Sequence, residues 1–222
     1  MICIKENIYN KNILKVREKE ATIEHMKIET DYDYIVAIGT STGGPKALAS
    51  VLSQVDQNLS ATYIVVQHMP AGFTKSLADR LDGLSSLHVK EAENYDILQA
   101  GHAYIAPGGY QFKITNARRP EVLLTEEPPY KGHKPSVNVM LHTLAKLKVN
   151  KKLIVVIMTG MGSDGLEGLE YLKAAHEVKV IAQDESTSIV YGMPKAIVSA
   201  GYADYVVPLE MISATIKRIM GE

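Results

Sequence analysis

The segment 34–48 places tight limits on the fold, because it joins an apolar run, a glycine-rich turn and a helical pattern. The apolar residues 35–38 have the length of a β-strand, and the turn GTSTGGP follows at 39–45. Proline at the first helical position, with glycines just before it, is typical of a tight connection from a strand to a helix. The segment therefore predicts a βα unit whose helix spans 45–55.

The same alternation continues from residue 33 to the end of the chain. Apolar runs of strand length are followed by stretches with hydrophobic residues at helical spacing. The predicted strands in this alternation are 35–38, 63–66, 153–158, 178–182 and 205–207, and the predicted helices are 45–55, 73–81, 136–147, 166–175, 194–200 and 211–220. This pattern predicts an α/β protein with a doubly wound, mostly parallel sheet and helices on both faces.

The middle of the chain departs from this rhythm. It contains four short strand-like runs separated by glycine and proline, at 87–91, 103–106, 111–115 and 122–125. Such runs favour antiparallel hairpins. We predict an antiparallel hairpin region inserted at one edge of the sheet.

The N-terminal residues differ from the rest of the chain. Residues 1–32 mix lysine and glutamate with scattered isoleucine and show no clear period. A segment of this kind is more often a solvated tail or a linker than part of a core. We therefore divide the chain into a polar tail or linker over 1–32 and one folded domain over 33–222.

Composition narrows the classes of function. A net charge of -1 over 222 residues gives no electrostatic argument for binding nucleic acid. The apolar runs are too short to insert into a bilayer, and the N-terminus lacks the apolar stretch of a secretory signal. The single cysteine, Cys3, excludes an internal disulfide and a thiolate metal cluster. We expect a cytoplasmic protein that requires neither a metal ion nor a cofactor.

Ser41 is the first candidate functional residue. It lies between glycines at the spacing G-x-S-x-G, which lifts a serine above the sheet edge in a sharp strand-to-helix turn. Backbone N–H groups and the helix N-terminus favour negative charge there, as a nucleophile in acyl transfer requires. The same glycines also suit a tight turn that has no function.

Two nucleotide sites compete for the same turn. Gly39, Gly43 and Gly44 approximate the glycine-rich turn that binds the pyrophosphate of a dinucleotide, although Ser41 stands where the second glycine belongs. A nucleotide P-loop requires Gly-Lys-Ser/Thr, and here Pro45 separates the glycine from the lysine. The dinucleotide site stays open as an alternative, and the P-loop is set aside.

A histidine and an aspartate follow two other predicted strands. His68 comes just after the second strand, and Asp164 comes after the most apolar one. Because the carboxyl ends of parallel strands meet at one edge, we expect both side chains near Ser41. Taken singly, Asp164 with Glu167 fits a helix cap and His68 fits a structural role. Together the three residues are a nucleophile, a general base and the carboxylate that orients the base.

The chain order Ser, His, Asp differs from the order in α/β-hydrolases, which argues against an ordinary lipase or esterase. The three residues lie in the motifs GTSTGG at 39–44, QHMP at 67–70 and MTGMGSDG at 158–165. Further motifs are GFT at 72–74, ADRL at 78–81, GHAYIAPG at 101–108, HKPSV at 133–137 and YGMP at 191–194. Together these motifs resemble the catalytic domain of the chemotaxis protein-glutamate methylesterase family.

The resemblance implies a role for each of these residues. Ser41 corresponds to the nucleophile, His68 to the general base and acid, and Asp164 to the orienting carboxylate. The backbone N–H groups of Thr42 and Met161 correspond to an oxyanion site. The implied reaction removes methyl esters from glutamate side chains of chemoreceptors, with release of methanol, and extends to deamidation of receptor glutamines. The implied partners are the cytoplasmic helices of methyl-accepting chemoreceptors, acting in chemotaxis adaptation.

The sequence also departs from the family pattern. Family members typically carry an N-terminal receiver domain, for which the residues before the first strand are too few, so we expect a stand-alone esterase or a catalytic fragment. Asn138 stands where aspartate is expected, which would alter how the receptor helix is held. Two other functions stay open: a dinucleotide-binding module in which His68 and Asp164 have no role, and a scaffold that binds receptors without turnover.

Overall fold

The computed structural model describes residues 31–116, 119–148 and 150–221. The strands are β1 (Tyr34–Thr40), β2 (Ala61–Gln67), β3 (His88–Glu91), β4 (His102–Ile105), β5 (Gln111–Asn116), β6 (Pro120–Thr125), β7 (Lys152–Ile157), β8 (Val178–Gln183) and β9 (Tyr205–Val207). The α-helices are α1 (Gly44–Leu52), α2 (Thr74–Asp82), α3 (Val137–Leu144), α4 (Leu166–Ala175), α5 (Met193–Ser199) and α6 (Ile212–Met220), the last preceded by a 3-10 turn at Leu209–Met211. None of these helices has the length and apolar character needed to cross a bilayer.

Within these residues, seven strands form one parallel sheet in the order β3-β4-β2-β1-β7-β8-β9. The chain starts in the middle at β1, builds one half of the sheet through β2, and later crosses to the other side of β1 through β7. The direction of winding therefore reverses at β1. In open α/β sheets, ligands bind at the carboxyl ends of the strands at such a reversal. The prediction of a doubly wound, mostly parallel sheet is confirmed.

One part of the strand prediction was wrong. The short runs at 87–91 and 103–106 suggest antiparallel hairpins, but β3 and β4 are parallel strands at one edge of the main sheet. The segment 92–101 returns the chain to the end of the sheet at which β3 begins. As a result β4 runs in the same direction as β3 and pairs between β3 and β2. The antiparallel hairpin consists of β5 and β6. Short runs bounded by glycine and proline do not reveal strand direction, because the direction depends on where the connecting segment travels.

Both faces of the sheet are covered, which explains the nearly continuous apolar character of its central strands. Helices α1, α2 and α6 pack on one face, and helices α3, α4 and α5 pack on the other together with the β5-β6 hairpin. Along β1, Val36 and Ile38 belong to the first cluster, whereas Ile35 and Ala37 belong to the second. The tail predicted over 1–32 lies outside the described residues except for Asp31 and Tyr32, and Tyr32 is buried in the second cluster.

The helices α3 and α4 approach each other closely at their first turns. A Cβ at Gly168 would lie 2.7 Å from the carbonyl oxygen of Asn138 and 2.8 Å from its Cα. These distances are shorter than a van der Waals contact, so only glycine fits there. The contact matters for the site, because the loop that precedes α4 carries Asp164.

We expect Gly168→Ala to lower the free energy of unfolding by about 1–3 kcal/mol, because the added methyl group forces α3 and α4 apart. Gly83 provides a matched control, since its φ is -66° and a Cβ there meets nothing closer than 3.8 Å. Gly83→Ala is expected to leave the stability unchanged or to raise it by up to about 1 kcal/mol. Urea unfolding measures both variants, and equal stabilities would contradict the close approach of the helices.

Candidate active site

The register of β1 and β2 brings Ser41 next to His68. Thr40 and Gln67 are partners across these parallel strands, and each is followed by one of the two residues. The backbone N–H of His68 donates to the carbonyl oxygen of Thr40 at 3.1 Å. On its other side, the backbone N–H of Ser41 donates to the carbonyl oxygen of Thr159, just beyond β7, at 3.0 Å. The serine and the histidine therefore leave the sheet side by side at the reversal point.

His68 and Asp164 are joined through their side chains. The Nε2 atom of His68 lies 2.7 Å from Oδ2 of Asp164. The pair is shielded from water, since the side chains are 11% and 2% exposed, respectively. The other ring nitrogen, Nδ1, is buried and has no hydrogen-bond partner among the described residues. Nδ1 is thus the nitrogen that remains to accept a proton.

The carboxylate of Asp164 also caps helix α3. Its Oδ1 accepts hydrogen bonds from the Ser136 hydroxyl at 2.9 Å and from the backbone N–H of Asn138 at 3.0 Å. Its Oδ2 accepts the backbone N–H of Val137 at 2.7 Å. A carboxylate at a helix N-terminus satisfies N–H groups that have no partner within the helix, and it is stabilised by the helix dipole.

The helix that Asp164 caps differs from the one that the sequence suggests. Asp164 and Glu167 match a local capping pattern for α4, but the N-cap of α4 is Gly165 and no side chain caps it from that position. Asn138 performs this function from α3, because its Oδ1 accepts the backbone N–H groups of Gly165 at 3.0 Å and Gly168 at 2.8 Å. Asn138 is 2% exposed, so its side chain bonds within the fold.

These contacts determine the charge of Asp164. Burial alone raises the pKa of a carboxyl group, but the hydrogen bonds from His68 and from the backbone N–H groups of Asn138 and Val137 outweigh burial. The pKa of Asp164 is therefore held below its usual 3.8. An ionised carboxylate only accepts hydrogen bonds, so Nε2 of His68 carries the proton of this pair and Nδ1 of the neutral ring is a free base.

The lowered pKa of Asp164 leads to a prediction for the pH dependence of stability. Its contribution is complete above the unfolded-state pKa of about 3.9 and is lost as the pH falls through the lower folded-state value. We expect Asp164→Asn to lower the free energy of unfolding by about 2 kcal/mol near neutral pH, because hydrogen bonds to a charged acceptor are weakened. The difference from the native chain should shrink below about pH 4.

Urea unfolding across this pH range measures the effect. Asp79→Asn is the control, because the side chain of Asp79 is 60% exposed and lies on the surface of α2. Its loss of stability should be small at every pH. A constant difference between the native chain and Asp164→Asn down to about pH 2 would contradict the assignment.

Thr159 connects the loops around Ser41. Its backbone N–H donates to Oε1 of Gln183 at 2.8 Å, and its hydroxyl donates to the carbonyl oxygen of Thr42 at 2.8 Å. The same hydroxyl accepts the backbone N–H of Val190 at 3.0 Å. Thr159 is 1% exposed, so its own atoms are shielded from water in all three bonds. The residue types did not single out Thr159, although it lies within one of the resembling motifs.

We expect Thr159→Val to lower the free energy of unfolding by about 1–3 kcal/mol, since the hydrogen bonds of the Thr159 hydroxyl to the Thr42 carbonyl and from the Val190 N–H are both lost. Thr159→Ser keeps the hydroxyl and should lose clearly less. Urea unfolding distinguishes the two variants. A loss in Thr159→Ser with none in Thr159→Val would indicate that the methyl group, and not the hydroxyl, stabilises this junction.

Two glycines allow the loop after β7 to lie against Ser41. A Cβ at Gly160 would lie 2.8 Å from Cβ of Ser41 and 2.4 Å from Sδ of Met193. A Cβ at Gly192 would lie 2.7 Å from the carbonyl oxygen of Gly160. Because positions 160 and 192 are glycine, the backbone around residue 161 lies closer to Ser41 than a side chain at either position would allow.

The residues predicted for an oxyanion site lie on the two loops that meet at Ser41. Thr42 follows Ser41 directly, and Met161 follows the glycine that contacts it. Both residues are exposed, and in the described part of the chain neither backbone N–H donates a hydrogen bond. Two unpaired donors next to a serine are the arrangement that stabilises a developing oxyanion.

The glycines of the turn at 39–44 have packing roles, which weakens the dinucleotide alternative. A Cβ at Gly44 would lie 1.9 Å from Oε1 of the Gln67 side chain, and a Cβ at Gly43 would lie 2.8 Å from Cδ1 of Ile189. In a dinucleotide site, glycine makes room for the pyrophosphate. Here side chains of the protein itself occupy the space beside both glycines.

His133 belongs to the same cluster and was not among the candidates from sequence. Its ring stacks on that of His68, with the ring centroids 4.0 Å apart and the planes inclined by 10°. Burial lowers the pKa of His133, and the neighbouring charge of His68 lowers it further. The only signal in the sequence was the HKPSV motif at 133–137, which gave His133 no role.

His68, His133 and Asp164 place nitrogen and carboxylate oxygen atoms within 4.8 Å of one another, as a metal site would. The two imidazole rings lie in nearly parallel planes, however. Their lone pairs, which lie in the ring planes, do not converge on a common point, whereas the ligands of a tetrahedral site must. Moreover, Nε2 of His68 is already bonded to the carboxylate. We therefore assign no metal ion to this cluster.

Comparisons with known proteins agree with the resemblance seen in the motifs. The family model described as CheB methylesterase matches residues 36–216. The protein-glutamate methylesterase/protein-glutamine glutaminase of Geobacillus kaustophilus is 50% identical over 189 residues, which are 85% of this chain and 54% of that protein. The protein of the same name from Bacillus subtilis is 47% identical over 183 residues, which are 82% of this chain and 51% of that protein.

A solved structure is also similar. The crystal structure of the Thermotoga maritima CheB methylesterase catalytic domain has 41% sequence identity and a TM-score of 0.80, and the match covers 83% of this chain and 97% of that one. The chain spans about half the length of the curated relatives that it matches.

Proposed function

Because the chain belongs to the CheB methylesterase family, we propose that it is a serine hydrolase that removes methyl esters from glutamate side chains of chemoreceptors. The products are methanol and a free carboxylate. We extend the proposal to deamidation of receptor glutamines, in which ammonia leaves from the same acyl carbon; the names of the relatives pair both activities. The proposed partners are the cytoplasmic helices of methyl-accepting chemoreceptors, so the reaction takes place in the cytoplasm during chemotaxis adaptation.

The observation that carries the proposal is the largely shielded His68–Asp164 pair beside Ser41 at the reversal point of the sheet. In the first step, Oγ of Ser41 attacks the ester carbonyl carbon, and its proton passes to Nδ1 of His68. In the second step, the tetrahedral intermediate breaks its bond to the methoxy oxygen, which takes that proton and leaves as methanol. Water then attacks the acyl-enzyme with His68 again as the base, which releases the glutamate carboxylate and restores the serine.

Asp164 stabilises the charge that His68 acquires in both steps. Its carboxylate stays ionised because its pKa is lowered, and it bonds Nε2 directly. The ring of His68 is therefore reversed relative to the serine proteases. In those enzymes Nε2 faces the serine and Nδ1 faces the aspartate. The roles are the same, because either ring nitrogen can be the base when the other one is bonded to the carboxylate.

The backbone N–H groups of Thr42 and Met161 are the proposed donors to the oxyanion. Neither has another acceptor in the described residues, so each is available to the intermediate. Each such donor contributes roughly 3 kcal/mol to transition-state stabilisation in enzymes of this type. Ser41 also precedes α1, whose N-terminus favours negative charge.

Ser41→Ala is expected to lower methanol release from methylated chemoreceptor cytoplasmic fragments by about 1000-fold or more, because the acyl-enzyme can no longer form. Ser53→Ala is the matched control, since Ser53 is exposed at the end of α1. It should release methanol at the native rate. Thermal unfolding verifies that both variants are folded.

The outcomes separate the proposal from its alternatives. Native activity in Ser41→Ala would exclude the serine mechanism. A native chain that binds the receptor fragment but releases neither methanol nor ammonia would support the scaffold. Tight binding of a nicotinamide or flavin nucleotide, without hydrolysis, would support the dinucleotide-binding module.

A further inference from the structure

We propose that His133 is a positioning residue, which holds the ring of His68 in its working orientation by covering one face of it. The inference rests on the proposed function, in which His68 is the base. It concerns a residue that does not touch the reacting atoms and acts through another side chain.

The stack restricts the motion that would disable the base. Within the residues that the structure describes, the only hydrogen bond to the His68 ring is the one from Nε2 to Asp164, and it leaves the ring free to rock about its Cβ–Cγ bond. The His133 ring lies parallel to it with a centroid distance of 4.0 Å. Rotation about Cβ–Cγ would drive the edge of one ring into the face of the other. The stack therefore keeps Nε2 directed at the carboxylate and Nδ1 directed away from it.

The turn that carries His133 is itself well defined. Tyr130 and His133 exchange both of their backbone hydrogen bonds, each at 3.0 Å. Between them, Lys131 has a φ of 48° and Gly132 a φ of 88°. Two central residues with positive φ are the mark of a tight hairpin turn. The side-chain amide of Gln111 also donates to the carbonyl oxygen of His133 at 3.0 Å.

Glu167 connects this turn to the element that carries Asp164. The Tyr130 hydroxyl donates to Oε1 of Glu167 at 2.9 Å, and Nζ of Lys131 lies 2.6 Å from its Oε2. Glu167 is in the first turn of α4, directly after the loop of Asp164. The two groups that contact the histidine base, the carboxylate and the stacked ring, are therefore fixed relative to each other through the start of α4.

The charge state of His133 suits this role. Burial and the charge of His68 both lower the pKa of His133, and Asp164 offsets them only in part. A neutral imidazole presents an electron-rich face, which attracts the positive charge that His68 acquires during the reaction. A protonated His133 would repel that charge, and the cost would be high at a centroid distance of 4.0 Å in a shielded site.

Two substitutions distinguish the effect of the flat face of His133 from the effect of its ring nitrogens. His133→Ala removes both, and we expect kcat for methanol release to fall about 10- to 100-fold with KM changed less than about twofold, because the base is misplaced and substrate binding is untouched. His133→Phe keeps a flat ring without nitrogens, and its kcat should stay within about threefold of the native value. His88→Ala is the control, since its side chain is 59% exposed at the start of β3.

A second readout does not depend on the receptor substrate. Nitrogen-15 NMR of the histidine side chains distinguishes the tautomer with a proton on Nε2 from the one with a proton on Nδ1. We expect a single Nε2–H form for neutral His68 in the native chain and in His133→Phe. We expect a mixture of the two tautomers in His133→Ala. A residue that only stabilised the fold would not change the tautomer of His68.

Each outcome decides the question. A native kcat and a single tautomer in His133→Ala would overturn the inference, and so would an equal loss of kcat in His133→Ala and His133→Phe, which would assign the effect to the nitrogens. If the native chain releases no methanol, the proposed function fails, and the NMR comparison alone decides whether His133 holds the ring. His133→Leu fills the space without a flat face, and it replaces the alanine variant if thermal unfolding shows that the latter is unfolded.

Discussion

The geometry of the site depends on an exchange of caps between α3 and α4. Asp164, ahead of α4, accepts N–H groups at the start of α3, and Asn138, in α3, accepts N–H groups at the start of α4. Burying a carboxylate costs free energy unless hydrogen bonds compensate, and this one receives three from the α3 terminus. The Asp164 carboxylate therefore remains ionised while it caps α3, and its bond to Nε2 orients the His68 ring.

The second constraint is the register of the central strands. Ser41 and His68 follow paired residues of β1 and β2, and Thr159 follows β7 on the other side of β1. Their relative positions are thus set by the strand pairing and by the backbone hydrogen bonds that join His68 to Thr40 and Ser41 to Thr159. The loops beyond these strands are also in direct contact, because Gly160 lies against Ser41 and Gly192 lies against Gly160. A site assembled in this way is preorganised before any substrate arrives.

The sequence was informative about the part of the candidate site that lies at the strand ends. Ser41, His68 and Asp164 could be grouped from sequence because parallel strands end at one edge, and the apolar runs showed where they end. Prediction from the sequence was less successful where hydrogen-bond partners lie far apart in the chain. A local capping pattern assigned Asp164 to α4, but its partners lie 26 to 28 residues earlier. His133 and Thr159 carry no pattern of their own, because their roles arise only from contacts across the fold.

The orientation of the His68 ring explains why contacts from several parts of the fold hold it in place. Nδ1 is attached to the ring carbon nearest the main chain, so the position of this nitrogen follows the backbone of His68 closely. That backbone is fixed by its hydrogen bond to Thr40, next to Ser41. Nε2 lies at the far end of the ring and requires a partner at that distance, which Asp164 provides. The strand register therefore positions one end of the His68 ring, the exchanged caps position the other, and the ring of His133 lies stacked against its face.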